Sequence, residues 1–365
     1  MMLRWLSRLC AMALAVALGV GSAHAQVKLE GDMKVALLHL ATVNDGGWSE
    51  SHEIGRQLTE RELGIEIAYT ENVPEDNSVL LQTTDLYTGR GYNVIIGTSY
   101  GYGDAFLEAS KKYPNTIFLN SAGETNGPNL ESFYARTYQG WYLAGILAGH
   151  MTKTKKIGYI AGFPISVVNW DVNGFLRGAQ SVDPEIEMIA LYVNSWYDPA
   201  KEGQAAQAML EQGADVIGTN GSAATPLIAA EKAGAYAVGY QIDMSKNAPK
   251  AVITSMLFHW EAYYVPKLKA IMAGEWTPEP GGAFWGIDTG IVGLSPSPDF
   301  VPKEALEAVE KAKQAMIEGT LTPYDGPVYK QDGTLIVEEG RSMTDDELWA
   351  MNYFVQGVIG SMPTE

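Results

Sequence analysis

Apolar runs and amphipathic stretches alternate along this chain from residue 34 onward. Lys34–His39 is short and apolar, as a buried strand is, and Trp48–Leu63 has helical spacing. Glu66–Tyr69, Asn93–Gly97 and Asn115–Leu119 repeat the strand pattern, with helices predicted over Asn77–Gly89 and Tyr102–Tyr113. A further short strand, Ser132–Ala135, closes this half. Such alternation predicts an α/β fold, a parallel sheet with helices on both faces. The rhythm then restarts. Tyr138–Met151 is a long helix in which small and large residues alternate, which predicts close packing against a sheet. Strands over Lys156–Ile160, Glu187–Val193, Asp215–Ile217 and Ala235–Gly239 follow, separated by helices over Val168–Ser181, Pro199–Gln212 and Thr225–Ala233.

The restart predicts two lobes. The first takes residues 33–136 plus about 255–288, and the second residues 137–254 plus about 289–365. Beyond Thr254 the pattern loosens: a helix over Trp260–Met272, a Pro/Gly-rich turn over Trp276–Gly282, and strand with glycine punctuation over Ala283–Leu294. Pro302–Gly319 reads as a helix with alternating charge, and Gly326–Glu339 as a hairpin around Asp332-Gly333. Thr344, followed by three acids, caps a last helix to about Gly360. A tail that re-enters both lobes makes several hinge strands rather than one linker.

Composition narrows the compartment. Two Arg in the first eight residues, an apolar run from Leu9 to Val20 and Ala23-His24-Ala25 read as a secretory signal at residues 1–25, cut after Ala25. That predicts a periplasmic protein. Cys10 is the only cysteine and sits too early, behind Leu9, to be a lipoprotein acceptor, so the processed chain carries no disulfide or thiol chemistry. The formal charge of −18 falls to about −20 on removal of two Arg, which argues against nucleic acid or anionic lipid as partners. A freely diffusing monomer fits.

In an open parallel sheet, ligands sit beyond the carboxyl ends of the strands. The residues there include Asn44, Asp45, Gly46 and Trp48 after the first strand, Ser99 and Tyr100 after the third, and Asn120 ending the fourth. The second lobe offers Trp170, Trp196, Asn220, Gly221, Gln241 and Asp243. Aromatic, amide and hydroxyl groups of this kind suit a weakly polar aromatic ligand, stacked on a ring and read at its edge. Each has a structural alternative: Trp48 as a staple at a helix start, Trp170 as core, Asp198 after Trp196 as a simple cap. Asp45 and Asp243 could act as acid and base across a closed cleft, but no nucleophile elbow, HExxH or P-loop is present. The histidines include no metal-spaced pair. A binding protein with neither cofactor nor metal is the stronger reading.

Taken in order, several motifs resemble the basic membrane protein family of ABC-transporter substrate-binding proteins, those similar to purine-nucleoside receptors. They are Asp45-Gly46-Gly47-Trp48, Gly101-Tyr102-Gly103-Asp104-Ala105 with Tyr113-Pro114, Trp141-Tyr142-Leu143-Ala144-Gly145 and Lys156-Ile157-Gly158-Tyr159. Gly174-Phe175 with Gly178-Ala179, and Gly213-Ala214-Asp215-Val216-Ile217, continue the series. The resemblance implies a type I periplasmic-binding fold, two doubly wound lobes closing on a purine-like ligand that is delivered to a membrane permease. It also implies one aromatic from each lobe around the base, here Trp48 and Trp196, with Asn120 reading its edge. Two departures bear on the ligand. Gln241 stands where nucleoside binders have an Asp for the ribose, and Met256-Leu257-Phe258-His259-Trp260 lacks their Lys. Together with the bulk of Tyr240, Phe258 and Trp260, this predicts a free base such as adenine. A nucleoside or another flat heterocycle is the alternative, and a secreted nucleoside-processing enzyme a remote one.

Overall fold

The computed structural model describes residues 27–362, so the signal segment lies outside the described residues. The first lobe starts with β1 (Val35–Leu38), α1 (Trp48–Leu63), β2 (Ile67–Thr70), α2 (Asn77–Gly89) and β3 (Val94–Gly97). It continues through α3 (Gly103–Lys112), β4 (Ile117–Ser121) and β5 (Leu130–Ala135). The strands are short runs of Val, Ile, Leu and Phe buried on both faces, as a sheet covered on both sides requires. They lie parallel in the order β2-β1-β3-β4-β5.

The second lobe repeats the plan with α4 (Thr137–Met151), β6 (Lys156–Ala161), α5 (Ser166–Gln180), β7 (Glu187–Tyr192) and α6 (Pro199–Glu211). β8 (Val216–Thr219), α7 (Thr225–Ala233), β9 (Tyr236–Gln241) and β10 (Val252–Phe258) follow, giving the order β7-β6-β8-β9-β10. The repeat of strand order matches the restart of the hydrophobic pattern. The small residues of α4 serve a different neighbour from the expected sheet. A side chain at Gly145 would run into the Phe175 carbonyl and one at Gly178 into the Tyr142 carbonyl, so α4 and α5 meet backbone to backbone.

No strand is read from the sequence over Val252–Phe258, yet β10 belongs to the second sheet, so the chain returns to the first lobe after Phe258 rather than near residue 255. There α8 (Glu261–Ala273) packs on α1, and β11 (Ala283–Trp285) adds to the edge of β5. β12 (Val292–Leu294) then pairs antiparallel with β10. The glycine-punctuated stretch is thus two strands, one per sheet, with a crossing between them. Among the described residues, three crossings join the lobes, at 136–137, 259–260 and 286–291. Arg136 binds the first to the third: its Nε donates to the Phe284 carbonyl at 3.0 Å, and its guanidinium grips Asp345 at 2.5 and 2.8 Å.

The tail stays on the second lobe. α9 (Lys303–Ile317) lies on α4, and β13 (Val328–Tyr329) pairs with β14 (Leu335–Val337) in the expected hairpin. Thr344 does cap a helix, through a full capping box, but α10 (Asp345–Trp349) ends eleven residues before Gly360. Asn169 and Asn173 take over, donating to the carbonyls of Met351 and Tyr353 at 2.8 and 2.9 Å. The chain then unwinds into β15 (Val358–Ile359) beside β7.

A buried ion pair fixes α1 on its sheet. Burial works against the Glu53 carboxylate, but hydrogen bonds from Arg56 and Gln57, with His39 close by, outweigh it and hold its pKa at about 2. Arg56 Nε lies 2.7 Å from Glu53, and Arg56 Nη1 lies 2.7 Å from Glu60. Since Glu53 is depressed from 4.5 in the free chain, its stabilising share is complete above pH 4.5 and disappears as pH falls towards about 2. The melting temperature of Glu53→Gln is therefore expected to lie below the parent's at neutral pH, with a gap that closes through that window. A gap unchanged down to the acid end would show that Glu53 does not act through its charge.

Candidate ligand-binding cleft

The loop between β1 and α1 is shaped by Asp45. Its carboxylate accepts from the backbone N–H groups of Gly47, Glu50 and Ser49 at 2.9, 3.0 and 2.9 Å, closing off the start of α1. Asp45 is thereby committed to the backbone rather than to a ligand. Gly46 sits at φ +78°, open to glycine at little cost. Gly47 is needed for closeness: a Cβ there would stand 2.6 Å from Ser222 Cβ of the second lobe, and nearer still to Ser222 Oγ and Gln241 Oε1. The lobes touch at this point.

Trp48 follows, half-buried, with its indole N–H donated to the Thr98 carbonyl at 2.6 Å beyond the end of β3. His52, Trp260 and Phe258 form a stack beside it, with ring centroids 4.2 and 4.5 Å apart and planes within 11°. Trp48 meets this stack edge to face, at 4.7, 5.4 and 5.5 Å from the three rings. Burial, helped by the nearby His39, pushes His52 well below its usual pKa, so the stack carries a neutral imidazole. Tyr134, at the end of β5, tilts towards Trp48 at 6.5 Å.

Asn120, the last residue but one of β4, lies beside Gly97, the residue just before Thr98. Its side chain is fully buried, yet neither its amide nitrogen nor its oxygen has a hydrogen-bond partner. Ser99 donates instead to Glu75, which also accepts from the Gly101 N–H at 2.9 Å, so Ser99 is spent on its own loop. Tyr100 is 64% exposed and Asn44 is also exposed, which places both at the rim.

In the second lobe, Gln241 ends β9 at φ +73°, a left-handed conformation that costs a side-chain-bearing residue about 1–3 kcal/mol. Its Oε1 accepts from Ser222 Oγ at 3.0 Å and abuts Gly47 of the other lobe. Asn194, near the start of the loop after β7, is similarly left-handed at φ +52°. Asn220 Oδ1 accepts from the Gly162 N–H at 2.9 Å, bracing two loops. Gly221 leaves room for the buried Glu202, whose carboxyl is raised by burial. Trp196 lies against Phe163 at 4.9 Å and remains 46% exposed.

Two candidates fall elsewhere. Trp170 is fully buried, donates its indole N–H to Thr137 Oγ1 at 2.9 Å and packs on Trp349 and Phe284, so it is core at the hinge. Asp243 is exposed and accepts from Ser245 N–H at 2.9 Å, capping a local turn. The cleft therefore assembles Trp48, Asn120 and the Gly47–Ser222–Gln241 contact from the strand ends. Tyr134 is missing from the sequence-based candidates, although it ends a strand that the pattern does locate. Among the described residues no cluster of His, Cys, Asp and Glu is suited to hold a metal ion, and no helix is long and apolar enough to cross a membrane.

Comparison with known proteins adds a lineage. The family model Bmp, described as "ABC transporter substrate-binding protein PnrA-like", matches residues 33–325. A purine-binding protein of Brucella abortus (strain 2308) is 32% identical over 345 residues, spanning 94% of this chain and 96% of that one. A putative ABC transporter glucose-binding protein of Haloferax volcanii is 31% identical over 336 residues, spanning 91% and 82%. Among solved structures, an ABC transporter solute-binding protein from Conexibacter woesei superposes with a TM-score of 0.69 at 20% identity, covering 80% of this chain and 98% of that one. At that identity the likeness concerns the fold.

Proposed function

The chain belongs to the Bmp family of PnrA-like ABC-transporter substrate-binding proteins, and on that footing we propose that it is a periplasmic receptor for a free purine base, handed on to an ABC permease. The observation that carries the ligand class is the Asn120 amide, buried at a strand end with donor and acceptor both unpaired. An amide in that condition costs about 1–3 kcal/mol until something satisfies it. The edge of a purine offers a matching donor and acceptor, and the half-buried Trp48 ring offers a face for the base. Relatives point two ways, since one is named for purines and the other for glucose.

Base is favoured over nucleoside by what fills the space beside Trp48. Phe258 is edge-on to Trp48 at 5.5 Å and Tyr240 backs it at 5.7 Å. Gln241 is held by Ser222 against Gly47. A ribose would need hydroxyl partners where these residues present carbon or an amide already engaged. Binding and release need no bond-making, and the receptor is read as non-enzymatic.

Titration calorimetry with adenine, guanine, hypoxanthine, xanthine, their nucleosides and glucose tests this reading. At least one free base is expected to bind about tenfold or more tightly than its nucleoside, the equivalent of one uncompensated hydroxyl. Equal affinity for adenine and adenosine would overturn the preference for a bare base, and binding of glucose alone would overturn the ligand class.

A further inference from the structure

Behind Tyr134 lies a buried acid that the cleft described above leaves unused. Asp171 is on α5 and is 1% exposed. Thr137 Oγ1 donates to its Oδ1 at 2.5 Å, and the Trp170 N–H donates to that same hydroxyl at 2.9 Å, so the Thr137 proton is directed at the carboxyl. The Trp141 indole faces the same carboxyl, but its N–H makes no hydrogen bond of normal geometry. The buried Tyr159 hydroxyl nearby also lacks a partner. Asp171 forms no ion pair among the described residues. This is an unusual density of unspent polar atoms for a protein interior, where nearly all such groups are paired.

Rings connect this group to the cleft. Trp141 lies 5.6 Å from Tyr240, Tyr240 lies 5.7 Å from Phe258, and Phe258 lies 5.5 Å from Trp48. Tyr134 is shared by both regions: its ring stands 6.5 Å from Trp48, and its hydroxyl is raised by burial and by the adjacent Asp171. The two ends of that chain come from different lobes, with Trp48 on the first and Trp141 on the second.

Resting on the purine reading above, we propose that Asp171 is a specificity residue of the cleft, its carboxyl pairing with the N3/N9–H edge of a free purine base. That edge sets an acceptor next to a donor, and attachment of a sugar at N9 removes the donor. Burial raises Asp171 above the usual carboxylate range against the pull of Thr137, Trp141 and Trp170, which favours the acid form. An acid has one O–H to give and one carbonyl oxygen to receive. Thr137 occupies one lone pair of Oδ1, which leaves the other for N9–H and leaves Oδ2–H for N3. The same pairing explains why the ribose-gripping residues are dispensable here: selection is made at the nitrogen, before any sugar is met.

Adenine and 9-methyladenine are titrated into the parent protein, Asp171→Asn, Asp171→Ala and Trp48→Ala, with melting curves of each unliganded protein alongside. The parent is expected to prefer adenine, and Asp171→Ala to lose about 10- to 100-fold of adenine affinity, the range for an unpaired buried group. Its affinity for 9-methyladenine should hold, so that the ratio between the two collapses. Asp171→Asn keeps a donor and an acceptor and should retain most of the preference. A ratio in Asp171→Ala equal to the parent's overturns the proposal, whether both affinities fall together or neither moves, because a purely structural role shifts both ligands alike. If Asp171→Ala does not fold, Asp171→Leu, which fills the site without a donor or an acceptor, takes its place and is judged by the same ratio. A parent that binds neither ligand brings down the purine reading itself. Loss in Trp48→Ala with no change of ratio in the Asp171 variants brings down only this inference.

Discussion

Trp48→Ala is expected to weaken the binding of adenine by about 10- to 100-fold, the worth of one base–aromatic stack of about 1–3 kcal/mol, while the unliganded protein still folds. The ring is half-buried and its N–H is fixed to the Thr98 carbonyl, so it enters the complex already oriented and pays little to be ordered. Trp48→Phe keeps a face for stacking but loses the anchor to Thr98, and should recover part of the affinity. Calorimetry on both variants checks this. Unchanged affinity in Trp48→Ala would move the stacking role to another ring, with Tyr134 and Trp196 as the neighbouring candidates.

Gly47→Ala is expected to cost still more, at least about 100-fold in affinity, with almost no change in the melting temperature of the unliganded protein. A ligand held between two lobes is bound only as tightly as the lobes are allowed to close. In the closed arrangement a methyl group on Gly47 meets Ser222 Cβ at 2.6 Å, and that atom cannot swing aside as the tips of Ser222 and Gln241 can. With the lobes apart the methyl group meets solvent. Small-angle scattering should show the parent contracting on addition of adenine and the variant remaining extended. Full contraction in Gly47→Ala would show that the loop yields. The paired variant Gly47→Ala with Ser222→Gly, which removes the opposing carbon, should restore much of the affinity.

Much of this architecture is legible in the sequence because strands buried on both faces leave plain apolar runs. The exception is instructive. β10 reads Val-Ile-Thr-Ser-Met-Leu-Phe, with two hydroxyl residues in mid-strand, and those hydroxyl positions hydrogen-bond to Ser295 next to the antiparallel β12. A partner 40 residues away in sequence decides the matter, and no local pattern reports it. The short α10 fails for the same reason, since Asn169 and Asn173 claim the backbone that would have continued the helix. In the cleft, the sequence shows residue type but not residue role. Asp45 has the chemistry of a ligand contact but serves the amides of its own loop, and Trp170 has the size of a stacking ring but lies in the core at the hinge. Asp171 carries no motif at all; its burial and unspent neighbours emerge only once α4 and α5 are packed together.

The crossings between the lobes also bear on when such a chain can fold. The edge of the first sheet is β11, and Phe284 within it lies 148 residues after Arg136, where the first pass through that sheet ends. At about 5–20 residues per second, translation leaves the β5 edge uncovered for roughly 7–30 seconds. An open parallel edge of that kind invites pairing with the wrong chain. The second sheet is in the same position, because β12 and β15 reach its two outer edges last. The first lobe is thus finished only after most of the second has been made, and the native pairing of both sheets becomes available only to a nearly complete polypeptide. This topology suits a protein kept unfolded until it has been delivered whole.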